Sequence, residues 1–115
     1  MSGLTTHVLD LAAGRPAAEV LVRLSRLTGP VELAPIEIAT DGDGRARLLE
    51  ASQMAAGLYR LEFGVGAHFR RTGATQTDPG FLETVAIEFN LPDQAASHHV
   101  PLLVSPFGYS TYRGS

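Results

Sequence analysis

The chain has 115 residues, 44% of them hydrophobic and 18% charged, which suits one domain over residues 1–115 with a real core and is too apolar for disorder. Nine Lys and Arg against twelve Asp and Glu give a net charge of −3, so there is no basic face for nucleic acid. With no cysteine, disulfides, thiolate catalysis and cysteine-based zinc sites are excluded.

Leu4, Thr6 and Val8 alternate with Thr5, His7 and Leu9, predicting a first strand that ends near Asp10. Ala13-Gly14-Arg15-Pro16 is a turn. Val20, Val22 and Leu24 alternate with Arg23 and Ser25 in a second strand, which Gly29-Pro30 breaks. Val31 to Ala39 predicts a third strand, bent or bulged at Pro35 because proline cannot donate to a ladder. Thr40-Asp41-Gly42-Asp43-Gly44 is the strongest turn signal in the chain and leads into a short strand from Arg45 to Leu49. Tyr59, Leu61, Phe63 and Val65 mark another strand, and Gly66 to Thr72 a short helix of two turns. A loop around Thr75 to Gly80 precedes a strand with Val85, Ile87 and Phe89, and Pro92-Asp93 turns the chain. His99 to Val104 and Tyr109 to Tyr112 are the last strands, separated by Pro106-Phe107-Gly108. Seven or eight short strands with one short helix predict an all-β, two-sheet antiparallel sandwich. Residues 1–6 carry neither the basic stretch nor the apolar core of a signal peptide, and no apolar run has the length of a membrane span. A cytoplasmic protein with no membrane partner is expected.

Three positions invite chemistry. His7 lies within an alternating strand and shares a face with Thr5 and Leu9; its plainer reading is an edge histidine bonded to a carbonyl. His98 and His99 are adjacent on a strand and point to opposite faces, so only one of them can share a site with His7. Pro101 and Leu103 go with His99, Val100 and Leu102 with His98. Arg45 starts a strand immediately after a rigid turn, a place from which a guanidinium can hold a planar, oxygen-rich anion, though a solvated strand-end arginine is the plainer reading. Asp41-Gly42-Asp43-Gly44 lacks the spacing and closing glutamate of a calcium loop and reads as a tight turn. His7, His68, His98 and His99 show no helical metal-ligand spacing, and no phosphate loop or nucleophile elbow is present. No metal or cofactor is therefore assigned.

These positions fall in segments that resemble the 5-hydroxyisourate hydrolases, the transthyretin-like proteins. Leu4-Thr5-Thr6-His7-Val8-Leu9-Asp10 is similar to the family's first strand, and Thr40-Asp41-Gly42-Asp43-Gly44-Arg45 to its turn and arginine. His99-Val100-Pro101-Leu102-Leu103-Val104-Ser105-Pro106 is similar to its histidine strand. Tyr109-Ser110-Thr111-Tyr112-Arg113-Gly114-Ser115 is similar to its C-terminal signature, whose final Tyr-Arg-Gly-Ser the hormone-carrier transthyretins lack. The resemblance spans essentially the whole chain, and no motif position departs from it.

It implies a transthyretin-like sandwich assembled as a homotetramer, with active sites in a channel at the dimer–dimer interface. It also implies His7, Arg45 and His99 as catalytic residues, with His7, Arg45, Tyr112 and Ser115 contacting substrate and His98 outside the set. The implied reaction opens the cyclic amide of 5-hydroxyisourate, in urate catabolism, to 2-oxo-4-hydroxy-4-carboxy-5-ureidoimidazoline. An imidazole suits proton removal from water and an arginine suits a developing oxyanion. Which of His7 and His99 is the base stays open. The competing reading is a non-catalytic carrier that holds a small aromatic ligand in the same channel.

Overall fold

Alternation of apolar and polar residues builds both layers of the computed structural model, which describes residues 3–29, 33–92 and 97–114. The elements in chain order are β1 (Gly3–Asp10), β2 (Arg15–Pro16), β3 (Leu21–Thr28), β4 (Ile36–Ala39), β5 (Arg45–Leu49), a 3-10 turn (Ala51–Gln53), β6 (Gly57–Phe63), α1 (Val65–Thr72), β7 (Val85–Leu91), β8 (Ser97–Ser105) and β9 (Gly108–Thr111). One sheet runs β2-β1-β8-β9, with β5 also paired to β1, and the other runs β4-β3-β6-β7. Leu4 and Val8 of β1 and Val100, Leu102 and Val104 of β8 meet Val22, Leu24, Tyr59, Leu61 and Phe63 across the interior, all of them buried. The expected sandwich is present.

The helix follows from its ends and its spacing. Val65 and Phe69, four residues apart, are both fully buried against the core. Gly73 ends the helix in the left-handed region (φ 71°), and its N–H donates to the Phe69 carbonyl at 3.1 Å. Arg70 and Arg71 occupy the last turn, where cations suit the helix dipole.

Four local readings change. Val65 opens the helix instead of ending β6, because the chain leaves the sheet at Gly64. The strand expected over 31–39 is β4, Ile36–Ala39, beginning only after Pro35; residues 31 and 32 lie outside the described residues, as does Asp93 of the Pro92-Asp93 turn. Arg15-Pro16, read as part of a turn, pairs with Leu9 and Asp10 as the two-residue strand β2. Finally, β1 and β8 run parallel, Gly3 opposite Ser97 through Asp10 opposite Val104, whereas every other strand pair among the described residues is antiparallel. That one pairing sets His7 and His99 on neighbouring strands.

Candidate active site

The Thr40–Gly44 turn determines where β5 begins. Asp41 Oδ1 accepts the N–H groups of Asp43 (2.9 Å) and Arg45 (3.0 Å), the tight turn the sequence suggested. Gly44 adopts φ 75°, and a Cβ there would come within 2.5 Å of the Val8 carbonyl oxygen, so the position requires glycine. Its own carbonyl accepts the Val8 N–H at 2.7 Å. With the turn pinned to β1 in this way, Arg45 falls directly opposite His7. Side chains at such a pair lie about 5 Å apart at Cβ and share a face.

Strand alternation then sorts the neighbours. Leu4, Thr6, Val8 and Asp10 point inward and are buried, so Thr5, His7 and Leu9 point outward. Pairing of β1 with β8 sets Thr5 beside His99 and His7 beside Pro101. Beyond β9 the chain keeps the same register: Leu102 pairs with Thr111 and His99 with Gly114, which brings Tyr112 alongside Pro101. Two rows of outward residues result. One contains Arg45, His7, Pro101 and Tyr112; the other contains Arg47, Thr5, His99 and Gly114. His7, Arg45, His99 and Tyr112 therefore share one face, while Ser115 lies outside the described residues.

His98 takes the opposite face, as alternation requires. Its ring stacks on Phe89 (centroids 5.8 Å apart, planes 15° apart), which stacks in turn on Tyr59. Burial, and then the charge of Arg113, hold its pKa below the ordinary imidazole value.

His99 is held on several sides. Its Nδ1 is 2.7 Å from Thr5 Oγ1. Its carbonyl accepts the Gly114 N–H at 2.7 Å, and a Cβ at Gly114 would come within 2.7 Å of its ring Cδ2. The glycine of the terminal Tyr-Arg-Gly thus seats the backbone against the imidazole. Burial lowers the His99 pKa most, followed by the charge of Arg45 and then by the neighbouring His7, while a hydrogen bond to the Thr5 backbone opposes them. A half-buried imidazole kept neutral beside a guanidinium can accept or relay a proton near neutral pH.

Arg45 is exposed and, among the described residues, makes no ion pair. Arg47, next along β5, is bound to Glu50 at 3.5 Å. An open cavity of about 470 Å³ borders the constellation on the β5 side, with Thr5, Arg45 and Arg47 in its walls and neither histidine. His7 and His99 lie on the sheet face beside that cavity and do not line it. In the sequence Thr5 stood out only as a neighbour of His7 on its face, Arg47 not at all, and Gly114 only within the C-terminal signature. The signal for the first two was a spacing of two residues along a strand, Thr5 from His7 and Arg47 from Arg45.

His68, weighed only as a metal ligand, has another place. Its Nε2–H donates to Asp10 Oδ2 at 2.8 Å, both side chains are buried, and Asp10 Oδ1 accepts the N–H groups of Ala12 and Ala13 at 2.9 Å. Among the described residues no group of three His, Cys, Asp or Glu side chains is arranged to hold a metal.

Residues 4–114 match the family model described as the HIUase/Transthyretin family. A 5-hydroxyisourate hydrolase of Caulobacter vibrioides is 55% identical over 115 residues, covering 100% of both chains. The structure of the Klebsiella pneumoniae 5-hydroxyisourate hydrolase superposes with a TM-score of 0.79 at 38% identity, covering 100% of each chain. Sea bream transthyretin in complex with thyroxine superposes with a TM-score of 0.80 at 29% identity over 96% of this chain and 93% of that one. The chain belongs to the HIUase/transthyretin family.

Proposed function

We propose that this protein hydrolyses the cyclic amide of 5-hydroxyisourate, with His7, Arg45 and His99 as the catalytic residues. The observation that carries the reading is the row geometry: Arg45 directly opposite His7, with His99 on the next strand and the same face. The names of the relatives supply the substrate.

In this scheme one imidazole takes a proton from water as its oxygen attacks the amide carbonyl carbon. Arg45 stabilises the oxyanion that forms. The tetrahedral intermediate collapses by breaking the C–N bond, and the second imidazole returns a proton to the departing nitrogen. The products are a carboxylate and a ureido nitrogen, as in 2-oxo-4-hydroxy-4-carboxy-5-ureidoimidazoline. Tyr112, on the same outer face, and Ser115 contact the substrate.

The same reading makes the protein a homotetramer whose sites lie where two dimers face one another. Leu9, Leu103 and Tyr112 support this, since they leave apolar surface on the outer face beside the histidines. The cytoplasm is the proposed compartment, and no helix of the described residues is long and apolar enough to cross a membrane.

The likeness to a thyroxine-bound transthyretin favours a second reading, a carrier of small aromatic ligands on the same face. Freshly generated 5-hydroxyisourate, followed by ultraviolet absorbance, separates the two. The expected result is decay faster than in buffer; decay at the buffer rate would leave the carrier in its place. A mass measurement in solution tests the tetramer, and an active monomer would rule out an interface site.

A further inference from the structure

We propose that Thr5 is a positioning residue that fixes the imidazole of His99 with Nδ1 tied to the sheet and Nε2 presented to the substrate. The inference rests on the hydrolytic reading of this face and goes beyond it by assigning the group that aims the ring. Thr5 and His99 are paired neighbours on β1 and β8, ninety-four positions apart in sequence, and Oγ1 lies 2.7 Å from Nδ1. That separation is short for a hydroxyl–nitrogen bond, and Thr5 is 7% exposed, so water competes little for its hydroxyl. In either tautomer the Thr5 hydroxyl bonds Nδ1 and leaves Nε2 without it.

The remaining freedom of the imidazole is rotation about its side-chain bonds, and two further contacts oppose it. On one side Gly114 packs against Cδ2, so closely that even a methyl group would collide. At the backbone, the Gly114 N–H bond to the His99 carbonyl anchors the strand from which the ring projects. The Thr5 hydroxyl supplies a directional contact on Nδ1, and direction is what a proton-transferring group requires. A threonine also suits the place for two separable reasons: its branched Cβ fits a strand, and its hydroxyl reaches the neighbouring ring. Valine keeps the first property and removes the second, whereas serine does the reverse.

The experiment compares Thr5→Val and Thr5→Ser with the unmodified protein in steady-state hydrolysis of 5-hydroxyisourate, with His99→Ala alongside. Thr5→Val should lower kcat about tenfold, the value of one orienting hydrogen bond, with KM unchanged within about twofold. Thr5→Ser should restore most of kcat. Equal activity of Thr5→Val and the unmodified protein overturns the proposal. So does a serine variant as slow as the valine variant, which would show that the methyl and not the hydroxyl matters. Full activity of His99→Ala would instead remove the hydrolytic reading of the face. The bond itself is read without substrate from nitrogen-15 spectra of the His99 ring. The unmodified protein should show a single set of Nδ1 and Nε2 shifts that Thr5→Val displaces and Thr5→Ser retains; identical spectra for all three overturn the proposal.

Discussion

Two histidine clusters in this molecule use the same side chain for opposite ends. His68 lies inside, its Nε2 on the buried carboxylate of Asp10, whose other oxygen caps two backbone N–H groups. Arg71 flanks the ring at 3.5 Å from Nδ1 and donates to the carbonyls of Ala18 and Glu19. The bond from His68 to Asp10 runs inward and ties α1 to the end of β1. His99 lies half-buried on an outer face, bound at Nδ1 to a neutral hydroxyl, with the Arg45 guanidinium and the His7 imidazole nearby. A histidine whose polar atoms are all engaged by its own fold serves packing. One held by a single nitrogen, beside unpaired charge, is available to something else.

The largest effect that would test this contrast is on turnover. His99→Ala should lower kcat/KM about 10²- to 10⁴-fold, the usual contribution of a proton-transferring side chain, while His98→Ala should stay within about threefold. Equal losses would break the assignment of the two neighbours to opposite faces. The inner cluster should answer in stability instead. Asp10→Ala strands the His68 Nε2–H and two backbone N–H groups and should cost about 3–5 kcal/mol in denaturant unfolding, with the activity of the remaining folded protein retained. Lost turnover at unchanged stability would erase the difference between the clusters. The smallest effect is a titration. The His99 ring, followed by proton NMR, should titrate below the ordinary imidazole value of about 6.5, because burial and the neighbouring cations disfavour its charged form. Arg45→Gln removes one of those cations and should move the midpoint upward; a downward shift would show that Arg45 does not act on this ring.

Much of this was readable from residue order. Period-two alternation located β1, β3, β6, β7 and β8, and the Asp-Gly-Asp-Gly turn located the start of β5. The same alternation separated His99 from His98, because it is a property of the strand alone. What escaped has a common cause. Partners that meet only across the fold, such as Asp10 with His68, Thr5 with His99, or Gly114 with the His99 ring, leave no local pattern. The direction of β8 against β1 belongs to the same class, since pairing partners ninety-four positions apart carry no turn whose length would reveal it. Val65 and Pro35 were local matters decided by context: a strand-like valine was taken up by the first turn of a helix, and a proline delayed β4 until after it.

The parallel contact of β1 with β8 also governs when the constellation can exist. β1 leaves the ribosome before β8, its partner some ninety residues later, and such non-local closure is slow because chain entropy is lost before any contact is made. β5 can reach β1 sooner and set Arg45 against His7, but His99 joins them only when β8 docks. A nascent or truncated chain lacking β8 therefore holds half of the constellation, with an unpaired β1 edge exposed to other strands. The order of synthesis makes the complete face a late product of folding, so its assembly reports that the two outer portions of the sequence have found each other.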